Sequence, residues 1–347
     1  MRVLQLVDEP YDSGIVSYAL AAAAALKARG HYAPVAGLAG KAPLEKASHL
    51  GLQTLGFSQP WLAWLSLRAF LRRKEIGLLV AHTGSAHTLA AAAAWGTPAR
   101  VVRVRGDARP MRARPLSSLL WRRTAGFIAA SQAILAQAEP FLGGLPRAAI
   151  LQGLPDPGPV PPLPEGPPHI GIVARLDPVK GHRIFILAAA RVLRRFPEAR
   201  FLVAGREENV SLRELRQLAQ EEGVKDALLL FGHARNAGEI MERCHVGVVS
   251  SLGSEAVSRS AVEWLSRGRP LVASSVGCLP EYLAGSEGGR LVAPGEPGAL
   301  AEALCSLLES PERLKTAAAA ARRRYEERFT FERFADEVER FCRSVHP

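Results

Sequence analysis

Two glutamates in the second half of the chain have the type and spacing that first suggest chemistry. In the stretch SEAVSRSAVEW (residues 254–264), seven residues separate Glu255 from Glu263. On one continuous helix this spacing turns the two side chains about 80° apart, so we expect Glu255 in a loop and Glu263 in the second turn of a helix capped by Ser258. A carboxylate accepts two hydrogen bonds side by side, which suits the vicinal hydroxyls of a ribose or a hexose. The alternative interpretation makes Glu263 a solvated helix residue.

Two cations lie in ARLDPVKGH, a segment that follows the apolar run IGIV and precedes a long helical pattern. Arg175 and Lys180 would converge where that helix starts, near Gly181. Cations at this end of a helix oppose its dipole and do not stabilise it. A shared anionic ligand such as a diphosphate therefore explains the pair, whereas exposure in a loop explains either residue alone.

The loop VDEPYDSG follows the first apolar run of the N-terminal half and ends at Gly14. Gly14 would open a helix, so that its amide and the helix dipole face an anion. A tight turn in which Ser13 is the helix N-cap is the alternative.

The segment RVRGDAR follows another apolar run, and Asp107 is the one acid in its neighbourhood. Asp107 either orients a reacting hydroxyl or pairs with Arg105 or Arg109. His82 and His87, in VAHTGSAH, are second candidates for the same site, with structural roles as the alternative.

Length and composition predict two domains to position these loops. The chain has 347 residues and 48% hydrophobic content, which exceeds one ordinary core. Short apolar runs alternate with helical segments on both sides of residues 153–168, where eight of sixteen residues are proline. This pattern indicates two α/β units with parallel sheets, joined by a stiff linker, and such sheets bind ligands beyond the carboxyl ends of their strands. Residues 311–345 read as one continuous helix.

Positive charge is concentrated in the N-terminal half. The net charge is +11, and residues 1–165 hold 18 Lys and Arg against 9 Asp and Glu. Residues 100–123 contain eight arginines and one acid. Such a basic surface suits nucleic acid, an anionic membrane or a phosphorylated substrate. Residues 61–74, WLAWLSLRAFLRRK, combine an apolar side with a basic end, which is typical of a helix resting on a membrane or of a core helix with a solvated end.

The cytoplasm is the expected compartment. The apolar runs fall short of the ~18 residues that cross a bilayer, and Asp8, Glu9 and Asp12 do not fit a signal peptide. Four cysteines without a CxxC pair fit a reduced compartment and predict neither a zinc site nor a disulfide.

Five segments in order make the chain resemble glycosyltransferase family 4, whose members have the GT-B fold. The segments are ARLDPVKGH, FLVAGREE, HVGVVSS, SEAVSRSAVEWLSRGRPLVASSVGCLPE and GGRLVAPGEPGALAEAL. The resemblance covers essentially the C-terminal half and, more loosely, the N-terminal half. It implies an α/β fold of two Rossmann-like domains whose parallel sheets face each other across a cleft, with a C-terminal helix that crosses back to the first domain.

The resemblance also implies a role for each part of the chain. Residues 1–152 would bind the acceptor, 153–168 would be the Pro-rich linker, 169–325 would bind a nucleotide-sugar donor, and 326–347 would be the helix that packs back on the first domain. Arg175 and Lys180 would bind the diphosphate. Glu263 would bind the ribose hydroxyls and Glu255 the transferred sugar, as the family's paired glutamates do.

The remaining implied sites are sets of loop residues. The donor site would further include Ser13, Gly14, Gly205, Val257 and Ser258. The catalytic group would be Asp107, Arg175, Lys180 and Glu255, and the acceptor contacts would be His82, Arg105 and Arg109. The chain departs from many relatives at Ala256, Val257 and Ser258, where they carry Gly-Phe-Gly, so the resemblance does not imply which sugar is bound. It also has Asp12-Ser13-Gly14 where relatives often carry two glycines.

The family transfers a sugar with retention at the anomeric carbon and needs no metal in its fold, and this chain has no Asp-x-Asp. We therefore expect no cofactor and no structural metal. Arg175, Lys180, the Gly14 amide and the helix near Gly181 would stabilise the leaving phosphate. No side chain is placed as a covalent nucleophile, which favours front-face attack in which the departing phosphate oxygen takes the acceptor proton. A UDP-sugar is the default donor.

The expected acceptor is a hydroxyl of an anionic glycan or glycolipid, in bacterial lipopolysaccharide or cell-envelope polysaccharide synthesis at the inner face of the cytoplasmic membrane. A GT-B nucleotide-sugar epimerase is the alternative enzyme. A basic nucleic-acid-binding protein is the alternative from another class, but no aromatic stacking platform or binding motif lies beside the arginines, so no specific nucleic acid is expected.

Overall fold

The computed structural model describes residues 1–59, 62–107, 109, 111, 120–234, 236–253 and 255–346. Of the basic segments noted in the sequence, Trp61, Ala108, Pro110 and residues 112–119 lie outside this description. The chain divides into two compact units: the first combines Met1–Gly153 with Phe331–Pro347, and the second is Leu154–Thr330. Each is built on one parallel sheet with helices, which confirms the predicted α/β class.

The first unit has a seven-stranded sheet in the order β3-β2-β1-β4-β5-β6-β7. Its strands are β1 Val3–Leu6, β2 Val35–Leu38, β3 Thr54–Phe57, β4 Leu78–Ala81, β5 Arg100–Arg105, β6 Thr124–Ala129 and β7 Arg147–Ala149. Strands β1 and β4 are buried along their whole length, as unbroken runs such as LLVA require. The strand order reverses between β1 and β4, which is where sheets of this kind bind ligands.

Five described helices follow strands of this sheet: α1 Gly14–Ala28, α2 Ala42–His49, α3 Ala63–Arg73, α4 Gly84–Ala94 and α5 Gln132–Leu142. Ser13, Thr83 and Ser131 are the N-caps of α1, α4 and α5. Each side-chain oxygen accepts a hydrogen bond from the backbone N–H three residues further on. These caps fix the points where the loops beyond β1, β4 and β6 end.

The second unit has a six-stranded sheet in the order β10-β9-β8-β11-β12-β13. Its strands are β8 His169–Val173, β9 Arg200–Ala204, β10 Leu228–Leu230, β11 Val246–Val249, β12 Leu271–Ser274 and β13 Gly289–Val292. The order reverses between β8 and β11, so the loops after these two strands meet at the carboxyl edge of the sheet.

The helices of the second unit are α6 His182–Val192, α7 Leu212–Glu221, α8 Ala237–Glu242, α9 Arg259–Ser266, α10 Leu279–Leu283, α11 Pro297–Leu308 and α12 Pro311–Arg328. Short 3-10 turns occur at Pro178–Lys180 and Lys225–Ala227. Fully buried Phe185 and Phe201 meet edge to face, with ring centroids 5.7 Å apart. Their contact joins α6 to the sheet and so anchors the helix that follows the predicted diphosphate loop.

The tail is two helices, which corrects the prediction of one continuous helix. After α12 the chain turns at Phe329 and Thr330, and α13 runs from Phe331 to Val345. The Phe329 ring is fully buried, and its centroid lies 4.7 Å from that of the Tyr282 ring. The backbone carbonyl of Phe329 accepts a hydrogen bond from the Leu154 N–H at 2.9 Å. These contacts outweigh the local helical pattern. Helix α13 then packs on α1 in the first unit.

The Pro-rich segment is held against the second unit by two arginines. Arg322 donates to both carboxylate oxygens of Asp156 at 3.1 and 2.6 Å. Arg269 donates to the carbonyls of Pro161 and Pro162 at 3.2 and 3.1 Å. The segment is therefore fixed by side chains as well as by its proline stiffness.

Candidate functional site

The loops after β8 and β11 contact each other at the carboxyl edge of the second sheet. The Leu252 N–H donates to the Val179 carbonyl at 2.8 Å, and the Ser250 hydroxyl donates to the Gly181 carbonyl at 3.0 Å. The two loops thus form one structure, and it contains most of the residues predicted to bind a donor.

Glycine is required where these backbones approach. Gly181 has φ +72°, and a Cβ there would lie 1.9 Å from the Ser250 carbonyl oxygen. At Gly205, after β9, a Cβ would lie 1.7 Å from the Ala174 carbonyl oxygen. No side chain fits at either position, so these two contacts keep the three loops close enough to share a ligand.

Lys180 and Glu255 form the central ion pair of this edge. Lys180 Nζ donates to Glu255 Oε1 at 2.5 Å, and the Ser251 hydroxyl donates to the same oxygen at 2.5 Å. The Glu255 side chain is 3% exposed and that of Lys180 is 21% exposed. The Glu255 carbonyl also accepts from the Cys278 N–H at 2.7 Å. The carboxylate is therefore held in one position from the loop after β8 and from its own loop.

Arg175 forms its hydrogen bond with a different acid, Glu208, and not with the Lys180–Glu255 pair. Its Nη1 donates to Glu208 Oε1 at 2.6 Å, and Arg206 Nη2 donates to Glu208 Oε2 at 2.8 Å. These hydrogen bonds, first from Arg206 and then from Arg175, lower the pKa of the Glu208 carboxyl. One acid thus bridges two half-exposed guanidiniums, and any anion bound by Arg175 competes with it.

Glu263 lies in the second turn of α9, as its spacing from Glu255 predicts. Its Oε1 accepts from Arg259 Nε at 2.8 Å, one helical turn earlier. Val257 is half-buried, and Ser258 precedes the helix without a cap hydrogen bond from its side chain. The predicted N-cap position is therefore right, but the predicted cap bond is absent, and the Ser258 hydroxyl is buried without a partner among the described residues.

His182, the first residue of α6, is buried directly beyond the diphosphate loop. Burial lowers its pKa to about 4, so the ring is neutral at physiological pH. It adds no positive charge beside Lys180, and the candidate cations of this edge are Lys180, Arg175 and Arg206.

In the first unit, Ser13 and Gly14 occupy the start of α1. The Ser13 hydroxyl accepts from the Val16 N–H at 3.2 Å, so the N-cap interpretation is correct. A Cβ at Gly14 would have no heavy atom within 4 Å, and the residue is exposed. The cap leaves the helix N-terminus open to solvent, and a role of these residues in donor binding stays a prediction.

The Asp107 carboxylate accepts hydrogen bonds from its own loop. Its Oδ1 accepts from Arg105 Nη2 at 3.2 Å and from the Arg109 N–H at 3.1 Å. The side chain of Arg105 is nearly buried by these contacts, whereas Arg109 is exposed. Asp107 thus pairs with Arg105, as one of the two alternatives predicted, and a catalytic role for Asp107 stays a prediction.

His82 and His87 lie inside the first unit. His82 shares a 2.7 Å hydrogen bond with Gln5 Oε1 and His87 a 2.8 Å bond with Thr124 Oγ1. Burial, with a smaller contribution from the charge of Arg103, lowers the pKa of His82 to about 3 and that of His87 to about 4. Both rings are neutral parts of the core, as the structural alternative has it.

Sequence reasoning missed several polar partners at these edges: Ser251, Arg206, Glu208 and Arg103. Arg206 and Glu208 stand in FLVAGREE, which was noted as a motif without roles for its charged residues. Their position directly after a buried strand is the signal that could have identified them.

Comparisons with known proteins identify the kind of protein that shares these features. Residues 167–310 match the family model Glycosyl transferases group 1. The phosphatidyl-myo-inositol mannosyltransferase of Mycobacterium leprae is 31% identical over 155 residues, which cover 43% of this chain and 40% of that protein. The chain thus spans less than half the length of this curated relative.

Two solved structures match nearly the whole chain. A glycosyltransferase from Rickettsia africae superposes with a TM-score of 0.85 at 16% identity, over 99% of this chain and 98% of that one. HepE from Anabaena, in complex with UDP, superposes with a TM-score of 0.85 at 21% identity, over 99% of this chain and 100% of that one. At these identities the likeness concerns the fold, which is the GT-B fold that the sequence predicts.

Proposed function

Because residues 167–310 match the family model Glycosyl transferases group 1 and the chain has the GT-B fold, we propose that this protein is a retaining, metal-independent glycosyltransferase with a nucleotide-sugar donor. The observation that carries the proposal is the Lys180–Glu255 pair where the strand order of the second sheet reverses. UDP is the proposed nucleotide, and the UDP complex of HepE supports it.

The donor would bind through the loops of the second unit. Lys180 has three N–H donors, so it can keep its bond to Glu255 and also donate to a phosphate oxygen. Arg175 would exchange Glu208 for the diphosphate, Glu255 would accept hydrogen bonds from the sugar, and Glu263 would exchange Arg259 for the ribose hydroxyls. Charge on the leaving phosphate would then be stabilised by fixed cations without a metal.

Transfer would follow front-face attack. The acceptor hydroxyl oxygen bonds to the anomeric carbon while the bond from that carbon to the phosphate oxygen breaks, and the departing phosphate oxygen takes the hydroxyl proton. The products are a glycoside of unchanged anomeric configuration and a nucleoside diphosphate. Asp107 is the candidate in the first unit for orienting the hydroxyl.

The acceptor would be an anionic glycan or glycolipid met at the inner face of the cytoplasmic membrane, as in cell-envelope synthesis. Basic residues of the first unit and the name of the mannosyltransferase relative, which acts on an anionic phospholipid, support this choice. The proposed membrane contact is a peripheral one, made through basic residues of the first unit. Within the described residues no helix is both long and apolar enough to span a membrane.

Binding measurements on variants of the second unit test the donor proposal. A thermal-shift screen of nucleotides and nucleotide sugars finds the donor, since a ligand at 100 times its Kd adds about 2.7 kcal/mol of stability. By calorimetry, we expect Lys180→Ala to weaken UDP binding at least tenfold and to leave uridine binding unchanged, since a charge-assisted hydrogen bond contributes ~1.5–3 kcal/mol.

Lys225→Ala, which removes an exposed lysine of the same unit, is the matched control and should bind UDP as the parent chain does. Equal losses of UDP and uridine, or equal losses in both variants, would reject the phosphate role of Lys180. Release of free sugar epimer without any glycoside product would favour the epimerase alternative.

A further inference from the structure

Arg103 is a buried arginine in the middle of the first sheet. It lies on β5 opposite Ala81 of β4 and Phe127 of β6, and it is 8% exposed. Ala81 is the last residue of β4, so Arg103 is level with the carboxyl edge of the sheet, beside the point where the strand order reverses.

The hydrogen bonds of Arg103 leave half of its guanidinium unused. Nη1 donates to the carbonyl of Ala81 at 3.1 Å and to that of Val104. In the described part of the chain, Nε and Nη2 have no hydrogen-bond partner, and the side chain has no ion pair. These two nitrogens form the edge of a guanidinium that binds a carboxylate or a phosphate with two parallel hydrogen bonds.

Two acids, Asp107 and Asp8, lie near enough to raise the pKa of Arg103, but neither forms an ion pair with it in the described part of the chain. Asp107 pairs with Arg105, and the Asp8 carboxylate accepts from the Thr83 hydroxyl. Burial lowers the pKa of Arg103 to about 10, which leaves it charged at neutral pH. The charges of Asp107 and Asp8 offset the effect of burial only in part, so the two free nitrogens of Arg103 can bind a further anion.

The surroundings of Arg103 favour a phosphate. The Ala81 carbonyl that it contacts lies two residues before Thr83, the N-cap of α4. At Gly84, the first residue of that helix, a Cβ would meet no heavy atom within 4 Å, so there is space for a ligand beside the Asp8 carboxylate, which accepts from the N-cap hydroxyl of Thr83. Arg105 follows two residues along β5, on the same face of the strand, and adds a second buried guanidinium.

We propose that Arg103 binds a phosphate group of the acceptor and so determines which acceptors the enzyme accepts. Nε and Nη2 would donate to two phosphate oxygens, while the N-terminus of α4 faces a third. The inference rests on the proposed glycosyltransferase function and assigns its acceptor chemistry to one residue. The phosphate is either a monoester on a soluble sugar or polyol or the headgroup of a lipid.

Calorimetry with glycerol 3-phosphate on the 347-residue chain tests the proposal. A Lys180→Gln background removes the central cation of the second unit, so that phosphate binding there is suppressed. In this background we expect Arg103→Gln to raise the Kd at least tenfold and Arg103→Lys, which keeps the charge but loses the fork, to raise it less. Arg100→Gln, on the same strand but exposed, is the control and should leave the Kd unchanged.

An unchanged Kd in both Arg103 variants, or an equal rise in Arg100→Gln, would overturn the proposal. If Arg103→Gln does not fold, Arg103→Lys decides by the same comparison. UDP binding by Arg103→Gln in the otherwise unaltered chain should equal that of the parent chain. A chain that fails to bind UDP but keeps an Arg103-dependent phosphate site would reject the donor proposal and retain this site.

Vesicles distinguish the two sources of phosphate. The Arg103→Gln chain and its parent are sedimented with phosphatidylcholine vesicles that contain phosphatidic acid. A loss with glycerol 3-phosphate alone assigns the site to soluble acceptors, and an additional loss of sedimentation assigns it to a lipid headgroup. No loss in either measurement would contradict the inference.

Discussion

Glu208 is the carboxylate that pairs with two arginines beside the predicted diphosphate loop. It accepts hydrogen bonds from Arg175 and Arg206, both of which keep substantial exposure to solvent. Lys180, in contrast, is paired with a carboxylate that is almost completely buried. A diphosphate must therefore displace Glu208 to reach Arg175, but it can approach Lys180 without breaking the pair with Glu255.

We expect Glu208→Gln to tighten the binding of UDP, because it frees Arg175 and Arg206 from a competing carboxylate. Exposed ion pairs contribute ~0.2–1 kcal/mol, so the expected gain is about 1.4- to fivefold in Kd, measured by calorimetry at low salt. Glu302→Gln removes another exposed acid of the same unit, one that pairs with Arg195, and should leave the Kd unchanged. An equal gain in both variants would indicate a general charge effect.

The sequence alone identified Glu255 and Lys180 as candidate site residues, but it did not identify the residues that they contact. Glu255 and Lys180 were predicted from spacing and from their place after apolar runs, and the structure brings them together at 2.5 Å. Their direct pairing could not be foreseen, because it depends on how closely two loops separated by about seventy residues approach. Arg103 was counted in a basic stretch as surface charge, since burial is a property of the folded sheet rather than of composition.

At the scale of elements, the loop between β8 and α6 depends on two turns that the sequence did not reveal. Asp177 caps the 3-10 turn Pro178–Lys180 by accepting from the Val179 N–H at 2.9 Å. Gly181 then adopts a left-handed conformation before α6 begins. This geometry lets the Lys180 ammonium donate a hydrogen bond to the Glu255 carboxylate while the loop packs on Ser250.

We expect Gly181→Ala to destabilise the second unit and to reduce UDP binding. A left-handed alanine costs ~1–2 kcal/mol, and the contact of its Cβ with the Ser250 carbonyl, 1.9 Å away, adds to this because a backbone oxygen cannot move aside easily. Thermal unfolding followed by circular dichroism measures the loss.

Gly223→Ala is the matched variant for this loop. Gly223 has φ +69°, close to that of Gly181, but a Cβ there would have no heavy atom within 4 Å. It should therefore show the conformational cost alone and keep its affinity for UDP. Equal destabilisation by the two substitutions would mean that the close approach to Ser250 does not constrain the loop.

Most elements were predictable because their patterns are local, and the exceptions have tertiary causes. Capped helices such as α1 and buried runs such as β4 follow from residues within one segment. The break between α12 and α13 does not, because it depends on the burial of Phe329 against Tyr282 from a distant part of the chain. Helical propensity is a weak preference that such packing overrides.

At the scale of the whole molecule, most of the excess positive charge lies in residues 1–165, which hold 18 Lys and Arg against 9 Asp and Glu, and the first unit also has an exposed apolar surface. Leu62, Trp64 and Leu65 at the start of α3 are 44%, 37% and 52% exposed, and Trp95, beyond α4, is 54% exposed. We call these four side chains the tryptophan surface. The other face of α3, with Leu67, Phe70 and Leu71, is buried, so the core does not account for the exposed residues.

Three arginines lie beside Trp95 at one end of the tryptophan surface. The Arg123 guanidinium lies 3.8 Å from the ring centroid of Trp95. Arg68 donates to the Trp95 carbonyl, and Arg72 donates to that of Gly96 at 3.4 Å. Exposed aromatic and aliphatic side chains with cations beside them fit the interface of an anionic bilayer, where each basic residue contributes about 1 kcal/mol.

We therefore expect the 347-residue chain to sediment with vesicles that contain anionic lipid, and to be released as salt shortens the range of electrostatic attraction. The double substitution Trp64→Ser and Leu65→Ser should lower the partition coefficient at least tenfold, because it removes apolar area that would enter the interface at ~25 cal/mol per Å².

The control is Leu229→Ser with Phe231→Ser, two apolar residues of the second unit that are each 37% exposed. Equal losses in the two double variants would show that exposed apolar side chains act without regard to position. Equal, negligible sedimentation with neutral and anionic vesicles at low salt would reject the membrane contact altogether, and transfer to a neutral soluble sugar would then reject the anionic acceptor as well.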